Sequence, residues 1–396
     1  MKKLLVLASG ILQIPVIRKA HEMGYYVIAT DGNPLAPGLT FADKSIVVNI
    51  TSEDEMLELA RKERIDGVIH PCSEVSMAVM GRINDELHLH GISRDTAFRA
   101  TNKHLMRESF EVYGAPSPRS YCTADLDEAW SLFQSSDGKA ILKPSRNSGS
   151  RGISEIECSL DKDSFESCFI RAKDESRDAS VMIEQFIEGP EFSVEIIVWN
   201  GIVNVLQVTD KKTTEAPFFV ELGHNQPSLF SDSIVKEVKE AAICGVKALG
   251  LNDCAAHAEI KIQDGKAFIM EIGARLGGDF ISTELTHLST GIDMVAAAIN
   301  VALGIEPDLS SHSTPQGVAI RYFTPHPGVV TSILNTELLS APDIYDAKIY
   351  VTPGDSIRMV QSSLDRSGHV IVTAPSPETA IKRAEQIINS VKILTE

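Results

Sequence analysis

The chain has 396 residues, 43% of them hydrophobic and 23% charged, so it is long enough for two or three globular domains. Its formal net charge of −17 argues against an extended basic surface for nucleic acid, although a local basic cluster could still hold a small anion. Six cysteines without CxxC or zinc-type spacing favour reduced thiols and a cytoplasmic location. No segment approaches the length of an apolar membrane span.

The first hundred residues alternate between apolar strands and amphipathic helices. Residues 3–8 form an apolar run typical of a parallel sheet, and a helix and a second strand ending at Asp31 follow. Because MKKLLVLASG leads straight into this pattern, we interpret it as a strand and not as a signal peptide. The GxGxxG dinucleotide fingerprint is absent. Ser73 and Glu74 follow a later strand and are substrate candidates, whereas Asp31 is either a ligand contact or a loop residue.

A Ser/Gly-rich loop after a predicted strand is the first candidate phosphate site. The strand that begins at Ala140 delivers Lys143, and the loop continues through residues 148–152, Ser-Gly-Ser-Arg-Gly. Backbone N–H groups of such a loop can cradle phosphate oxygens, and Lys143 can add a positive charge. A hairpin loop without a ligand is the alternative. Upstream, Lys103 opens a helix and is by itself typical of a solvated lysine.

Two further predicted strands carry several glutamates. The segment from Glu184 to Glu191 turns between these strands, and its backbone groups at 185–187 could pair with an adenine edge. A carboxylate such as that of Glu191 could accept hydrogen bonds from ribose hydroxyls, although exposed strand glutamates are common. His224 lies at the centre of a loop, and a lone loop histidine more often has no catalytic role.

The most informative stretch is a predicted hairpin at residues 255–280. Glu259 and Glu271 each interrupt an apolar strand, and a bare buried carboxylate costs several kcal/mol. A two-residue turn at Asp264-Gly265 would put them on opposite faces, whereas a three-residue turn or one bulge would set them directly opposite each other. We predict the odd-length turn, because two facing carboxylates suit Mg²⁺. An exposed hairpin with two solvated glutamates is the alternative.

In this order, these motifs and the Glu271-Ile-Gly-Ala-Arg275 segment resemble the ATP-grasp superfamily of carboxylate–amine ligases. The resemblance covers nearly the whole chain and implies an α/β and α+β fold. Residues 1–111 look like the Rossmann-like pre-ATP-grasp domain, and residues 112–306 look like the ATP-grasp domain. Residues 307–396 look like the small C-terminal α+β domain of biotin carboxylase and phosphoribosylglycinamide synthetase relatives.

The resemblance implies roles for the matching positions. Glu259 and Glu271 would hold Mg²⁺, with Mn²⁺ as an alternative ion, and Arg275 and Lys143 would act in catalysis. The ATP-binding set has phosphate contacts and a lid in its first six members, adenine contacts in the next three and a ribose contact in the last: Lys103, Lys143, Ser148, Gly149, Ser150, Gly152, Glu184, Phe186, Ile187 and Glu191.

The form of the last motif resembles the L-amino-acid ligase branch. Gly-Ala-Arg-x-Gly-Gly-Asp, with Glu221-Leu-Gly-His224 upstream, implies substrate contacts at His224, Glu74, Gly277 and Gly278. Family members often have Asn where Gly273 stands, so a second metal would be held loosely or by another group.

The implied function is an ATP- and Mg²⁺-dependent ligase that joins a small carboxylate to an amine through an acyl phosphate. Two alternatives are a purine-pathway ligase like phosphoribosylglycinamide synthetase and a regulator that binds ATP without turnover. The expected partners are small-molecule substrates, without nucleic acid or membrane, and a homodimer is common among relatives of this type.

Overall fold

The computed structural model describes residues 1–136, 138–146, 152–157, 159–215 and 218–396. The α-helices are α1 (Ile14–Glu22), α2 (Glu53–Glu63), α3 (Met77–Leu87), α4 (Arg94–Thr101), α5 (Lys103–Tyr113), α6 (Leu126–Gln134), α7 (Lys162–Asp174), α8 (Asp232–Leu249), α9 (Thr286–Thr290), α10 (Met294–Ala302) and α11 (Pro377–Ser390).

The strands of the described residues form four sheets. In chain order they are β1 (Lys3–Leu7), β2 (Tyr26–Asp31), β3 (Lys44–Val47), β4 (Gly67–Ile69), β5 (Ser120–Thr123), β6 (Ala140–Pro144), β7 (Ser154–Ile156), β8 (Val181–Gln185), β9 (Glu191–Trp199), β10 (Ile202–Thr213), β11 (Glu221–Gln226), β12 (Cys254–Gln263), β13 (Lys266–Gly273), β14 (Gly317–Tyr322), β15 (Gly328–Leu334), β16 (Ile344–Ile349), β17 (Ser356–Ile357), β18 (Gly368–Ala374) and β19 (Lys392–Thr395).

The first sheet is parallel, with the strand order β3-β2-β1-β4. The apolar run from Leu4 to Leu7 is fully buried in it, as a strand covered on both faces requires. This confirms the strand–helix alternation predicted from the sequence. The carboxyl ends of β1, β2 and β4 meet at one edge, where Asp31 ends β2 and Glu74 follows β4.

The second sheet is antiparallel, in the order β5-β8-β6-β7, and α6 and α7 cover it. Phe133, Phe165 and Phe169 are at most 2% exposed and form its core with Leu142 and Ile183. Ile141 pairs with Glu184 across β6 and β8. Because side chains two residues apart share a face of a strand, Lys143 lies diagonally opposite Glu184.

The third sheet has eight strands in the order β13-β12-β9-β10-β11-β14-β18-β16, and α8 packs on one face of its first half. The apolar stripe of α8 meets the alternate residues Ala256, Ala258 and Ile260 of β12 in one core cluster. The period of two therefore directs His257 and Glu259 to the opposite face.

The remaining strands form a small sheet, β17-β15-β19. The predicted fold class, with an ATP-grasp core between an N-terminal parallel sheet and a C-terminal α+β segment, is confirmed. The predicted division at 111/112 and 306/307 stays a prediction. Position 111 lies within α5, and β14, β16 and β18 continue the sheet that β9–β13 begin. No helix among the described residues is long and apolar enough to cross a membrane.

Candidate active site

Glu259 and Glu271 are direct cross-strand partners in the β12–β13 hairpin. The predicted odd-length turn is wrong, because Gln263 pairs with Lys266 and the turn is the two residues Asp264-Gly265. The register instead shifts between Glu259 and Ile260, and Ile260 pairs with Ile269. One extra residue of β13, Met270, is therefore bulged, and this bulge sets the two carboxylates opposite each other.

Arg107 of α5 holds the bulge in place. Its Nη2 atom donates to the backbone oxygen of Met270 at 2.7 Å. One turn earlier on the same face of α5, Lys103 contacts the Oε1 atom of Glu271 at 3.1 Å. The helix thus fixes both the register of the glutamate pair and a cation beside it.

A second lysine lies at the other glutamate. The Nζ atom of Lys211, on β10, is 3.5 Å from Oε1 of Glu259, 2.5 Å from Oε1 of Glu191 and 3.6 Å from Oε1 of Glu221. Its side chain is only 4% exposed. Lys211 holds the pKa of Glu259 well below the usual range, so Glu259 is an anion at neutral pH.

The glutamate pair fits a magnesium ion. Its side chains are 32% and 26% exposed, so carboxylate oxygens face the open side of the sheet. Among the described residues there is no group of three or more His, Cys, Asp or Glu side chains that could hold a metal ion. An ion held here would take its other ligands from phosphate oxygens and water, which is how Mg²⁺ usually binds in phosphoryl-transfer sites.

Lys143, Glu184 and Arg107 form a buried charged triad. Arg107 donates from Nε and Nη2 to the two carboxylate oxygens of Glu184 at 3.0 and 3.1 Å, and Nζ of Lys143 lies 2.6 Å from Oε2. All three residues are at most 6% exposed. Burial alone would raise the pKa of Glu184, but the two cations lower it to about 2. The Glu184 carboxylate is thus engaged in positioning Lys143.

The backbone predicted to meet adenine follows β8, and that role stays a prediction. The N–H of Phe186 donates to the oxygen of Lys139 at 3.1 Å, so it is already engaged. The Ile187 oxygen accepts from Nζ of Lys261 at 3.0 Å, and that ammonium lies 5.3 Å from the centroid of the Phe186 ring. These contacts hold the segment in a fixed, extended form next to Glu191.

Of the predicted phosphate loop, Ser148, Gly149 and Ser150 lie outside the described residues. Gly152 follows with φ of +72°, a conformation that favours glycine. A Cβ atom there would come within 3.0 Å of Pro144 and of Glu175. The glycine therefore lets the end of the loop return close to β6, where Lys143 lies.

Arg275 and Glu74 form an ion pair between the N-terminal segment and the end of the hairpin. Nη2 and Nε of Arg275 lie 3.0 and 3.2 Å from Oε1 of Glu74. Burial raises the pKa of Glu74, against the effect of Arg275. A Cβ atom at position 273 would lie 3.2 Å from Cγ of Arg275 and 3.3 Å from Oε1 of Glu74. Gly273, where the family often has Asn, thus leaves room for this pair.

His224 contacts Asp279, which follows the end of the hairpin. Its Nε2 atom lies 3.4 Å from Oδ2 of Asp279, and Arg366 of the C-terminal segment donates to both oxygens of that carboxylate at 2.6 and 2.7 Å. Asp279 and Phe280 follow the Gly277-Gly278 pair with φ of 52° and 63°. Two consecutive non-glycine residues in the left-handed region cost of order 1–3 kcal/mol each and are typical of functional sites.

A small cavity lies behind Arg275, between β4, α3 and the ends of β12 and β13. It measures about 40 Å³, and its lining combines apolar residues with polar ones that include His70, Asn84 and Asp253. Both ring nitrogens of His70 and Oδ1 of Asn84 are buried and have no hydrogen-bond partner in the structure. Because about 10–15 Å³ admits one water, we expect ordered water here.

The same burial predicts a pH effect on stability. Burial, with Arg275 nearby, lowers the pKa of His70 to about 3, so the folded chain keeps this ring neutral. Between that value and the unfolded pKa near 6.5, only the unfolded state binds the proton, and stability falls as the pH falls. Relative to His70→Leu, the wild type should lose about 1.4 kcal/mol per pH unit between pH 6 and 4 in denaturant titrations. Parallel curves for the two proteins would contradict this.

Three segments of the chain match models of known families. Residues 137–284 match the ATP-grasp domain, residues 4–93 match the PylC-like N-terminal domain, and residues 321–396 match the L-amino acid ligase C-terminal domain 2. The chain is an ATP-grasp ligase. This confirms the superfamily predicted from the ordered motifs and places the ligase among ADP-forming enzymes that make carbon–nitrogen bonds.

The ligase is 25% identical over 280 residues to alanine–anticapsin ligase of Bacillus subtilis, which covers 65% of this chain and 58% of that protein. It is 22% identical over 420 residues to formate-dependent phosphoribosylglycinamide formyltransferase of Methanocella arvoryzae, covering 99% of this chain and 92% of that protein. Its fold matches the L-amino acid ligase of Bacillus licheniformis with a TM-score of 0.84 at 19% identity, over 100% of this chain and 99% of that one.

Arg107 and Lys211 are two cations of the candidate site that were not predicted from the sequence. The four-residue spacing of Lys103 and Arg107 on one helix was the available signal for the first. Lys211 lies in a Lys211-Lys212 pair within a strand, where alternation directs one of the two side chains to each face. Nothing in that local pattern indicates which of the two faces carries the glutamates.

Proposed function

We propose that this ligase activates the carboxylate of one amino acid as an acyl phosphate and joins it to the amino group of a second. The observation that carries the proposal is the Glu259–Glu271 pair, with Lys103 at the carboxylate of Glu271 and Arg275 four residues beyond the same glutamate. Three kinds of group thus lie together at this hairpin. They are the two carboxylates for a cation, the ammonium of Lys103 for phosphate and the guanidinium of Arg275 for a carboxylate.

Glu259 and Glu271 would hold Mg²⁺, or Mn²⁺ in its place. When bound, such an ion neutralises charge on the transferring phosphate and the leaving ADP. The proposed ATP site extends from there along the chain. Lys143, held by Glu184, would contact the phosphates, the N–H of Ile187 would meet the adenine edge, and Glu191 would accept from the ribose hydroxyls.

The proposed reaction has two steps, and this chain contributes charge to both. A carboxylate oxygen of the first substrate attacks the γ-phosphorus, and ADP leaves. The amine nitrogen of the second substrate then attacks the carbonyl carbon, loses a proton, and phosphate leaves with one oxygen of the original carboxylate. Arg275 would bind the incoming carboxylate in place of Glu74 and would stabilise the tetrahedral oxyanion. Positioning and charge neutralisation are the main requirements of phosphoryl transfer.

Lys143→Ala is expected to weaken nucleotide binding selectively. Loss of a charged hydrogen bond to phosphate is worth about 1.5–3 kcal/mol, so KM for ATP should rise about 10- to 100-fold. KM for the acid should change much less, because Lys143 is paired with Glu184 on β8, whereas Arg275 is paired with Glu74. Steady-state kinetics with each substrate varied in turn would test this, with the exposed Lys236→Ala on α8 as the control. An equal rise in both KM values would contradict the assignment.

The second candidate is a ligase that acts on a phosphoribosyl amine, which the likeness to the formyltransferase favours. Such a substrate needs a cation for its phosphate in the N-terminal segment. There, Asp31 ends β2 and Glu74 follows β4. Asp31 would repel a phosphate, and Glu74 already occupies the guanidinium of Arg275, which favours amino-acid substrates.

The proposal is tested by phosphate release from Mg·ATP with the twenty amino acids, singly and in all pairs. Release that needs particular pairs, together with a ligated product of the summed mass less water, would support it. Release only with a sugar-phosphate amine would favour the second candidate. ATP binding without turnover under any condition would favour the non-catalytic regulator.

The homodimer and the cytoplasmic location stay predictions. Light scattering after gel filtration would test the homodimer.

A further inference from the structure

A buried pair of charged residues lies beside Glu259 on the same face of the sheet. Glu195 and His257 are cross-strand partners on β9 and β12, and both are at most 5% exposed. Nδ1 of His257 lies 2.5 Å from Oε1 of Glu195. The second oxygen of that carboxylate accepts from the hydroxyl of Ser282, which follows in the π-helical turn Ile281–Leu285. Both oxygens of a fully buried carboxylate are therefore satisfied.

The free edge of the imidazole faces the metal-ligand candidate. With Nδ1 engaged by Glu195, the Nε2 atom of His257 lies 3.7 Å from Oε1 of Glu259. The ring thus lies between two carboxylates, that of the buried Glu195 and that of Glu259, which lines the site. A histidine whose outer nitrogen meets a ligand carboxylate restricts the orientations that the carboxylate can adopt.

The turn after Arg275 is built around the same pair. A Cβ atom on Gly277 would lie 2.6 Å from Nδ1 of His257 and 2.9 Å from Oε1 of Glu195, so a larger residue would push the pair apart. The N–H of Gly277 donates to Oγ of Ser282 at 2.7 Å. One continuous chain of hydrogen bonds therefore links the Gly277 turn to Glu195 and His257, and from there the imidazole reaches Glu259.

We infer that His257 is a positioning residue for Glu259, and that Glu195, Ser282 and the absence of a side chain at Gly277 hold it in place. The inference rests on the proposed role of Glu259 as a ligand to a divalent cation. Stability alone does not account for the pair, because buried ion pairs are often replaced by apolar residues without loss of stability. Positioning of Glu259 explains why the outer nitrogen of His257 faces that carboxylate.

The test removes the pair without leaving a bare charge in the core. The double variant His257→Leu, Glu195→Leu replaces both side chains with apolar ones. Mn²⁺ binding is measured by electron paramagnetic resonance in the presence of ADP. We expect about 10- to 100-fold weaker Mn²⁺ binding, as for other losses of partners behind a metal ligand. Binding of ADP without a metal ion should not change. Thr209→Val is the matched control, because it removes a buried hydroxyl from the same sheet that bonds Gln226 and not Glu259.

Unchanged Mn²⁺ affinity in the double variant would overturn the inference. If that variant does not fold, Gly277→Ala provides the same readout with both charges retained, and unchanged affinity there would overturn it equally. The wild type and Glu271→Gln separate this result from a failure of the proposed function. If wild-type binding of Mn²⁺ does not depend on Glu271, the metal assignment itself is wrong. If it does and the His257 variants bind normally, only the positioning role is wrong.

Discussion

Replacement of Glu271 by Gln is expected to lower kcat by about 10³-fold, since several kcal/mol of charge stabilisation in the transition state depend on the bound cation. The amide keeps the shape of the side chain but removes one of two anionic donors. Glu271 is partly exposed at the end of β13 and lies opposite Glu259, and the amide oxygen of Gln can still accept from Nζ of the buried Lys103. The fold should remain intact.

The measurement is single-turnover ADP formation at saturating Mg·ATP and acid. Glu240→Gln on the exposed side of α8 is the control, because it removes the same charge from a surface pair with Lys236. Excess Mg²⁺ or Mn²⁺ should restore part of the rate of Glu271→Gln if affinity is what is lost. Turnover of the variant at the wild-type rate in ordinary Mg²⁺ would show that the pair does not hold the ion.

Replacement of Glu184 by Gln is expected to lower the free energy of unfolding by about 3–5 kcal/mol, because it leaves buried cations without their counter-charge. The carboxylate bonds Arg107 through both oxygens and lies 2.6 Å from Nζ of Lys143, and its side chain is 1% exposed. ATP binding should weaken as well, since Lys143 would no longer be held against β8.

Trp130 is a local reporter for this measurement. Its ring packs against Phe133 and Phe165 in the layer that covers the sheet of Glu184. In a Trp199→Phe background, its fluorescence would follow denaturant unfolding of that layer. The control is Asp127→Asn, which breaks the exposed pair with Lys162 on the same layer and should change the free energy of unfolding far less. A loss for Glu184→Gln no larger than that of the control would contradict the prediction.

The sequence predicts the site well where the evidence is the regular alternation of side chains along one strand. Alternation along β12 directs Ala256, Ala258 and Ile260 to the core and Glu259 to the other face, and the structure has this arrangement. Glu259 and Glu271 can face each other only if the hairpin is irregular at one position, in its turn or in the pairing of its two strands, and the sequence predicted such an irregularity. Its position was predicted wrongly, because a bulge at Met270 depends on Arg107, a residue 163 positions away that caps its carbonyl oxygen.

Long-range charge pairs account for most of what the sequence did not reveal. Lys211 meets glutamates from three other strands, and Glu195 meets a histidine 62 residues away. Each of these residues is, in its own segment, one charged side chain in a strand, for which an exposed position is the ordinary expectation. Only the order of strands in the sheet determines that they are buried and paired.

Transfer of oxygen from the acid to phosphate would show directly whether this ligase forms an acyl phosphate at the Glu259–Glu271 pair. The acid identified by the pairwise screen would be labelled with ¹⁸O in both carboxylate oxygens and turned over with Mg·ATP and its amine partner. One ¹⁸O atom should appear in the released phosphate and the other in the new amide, with a rate that falls in Glu271→Gln. Phosphate that carries no ¹⁸O while the product forms would contradict the account.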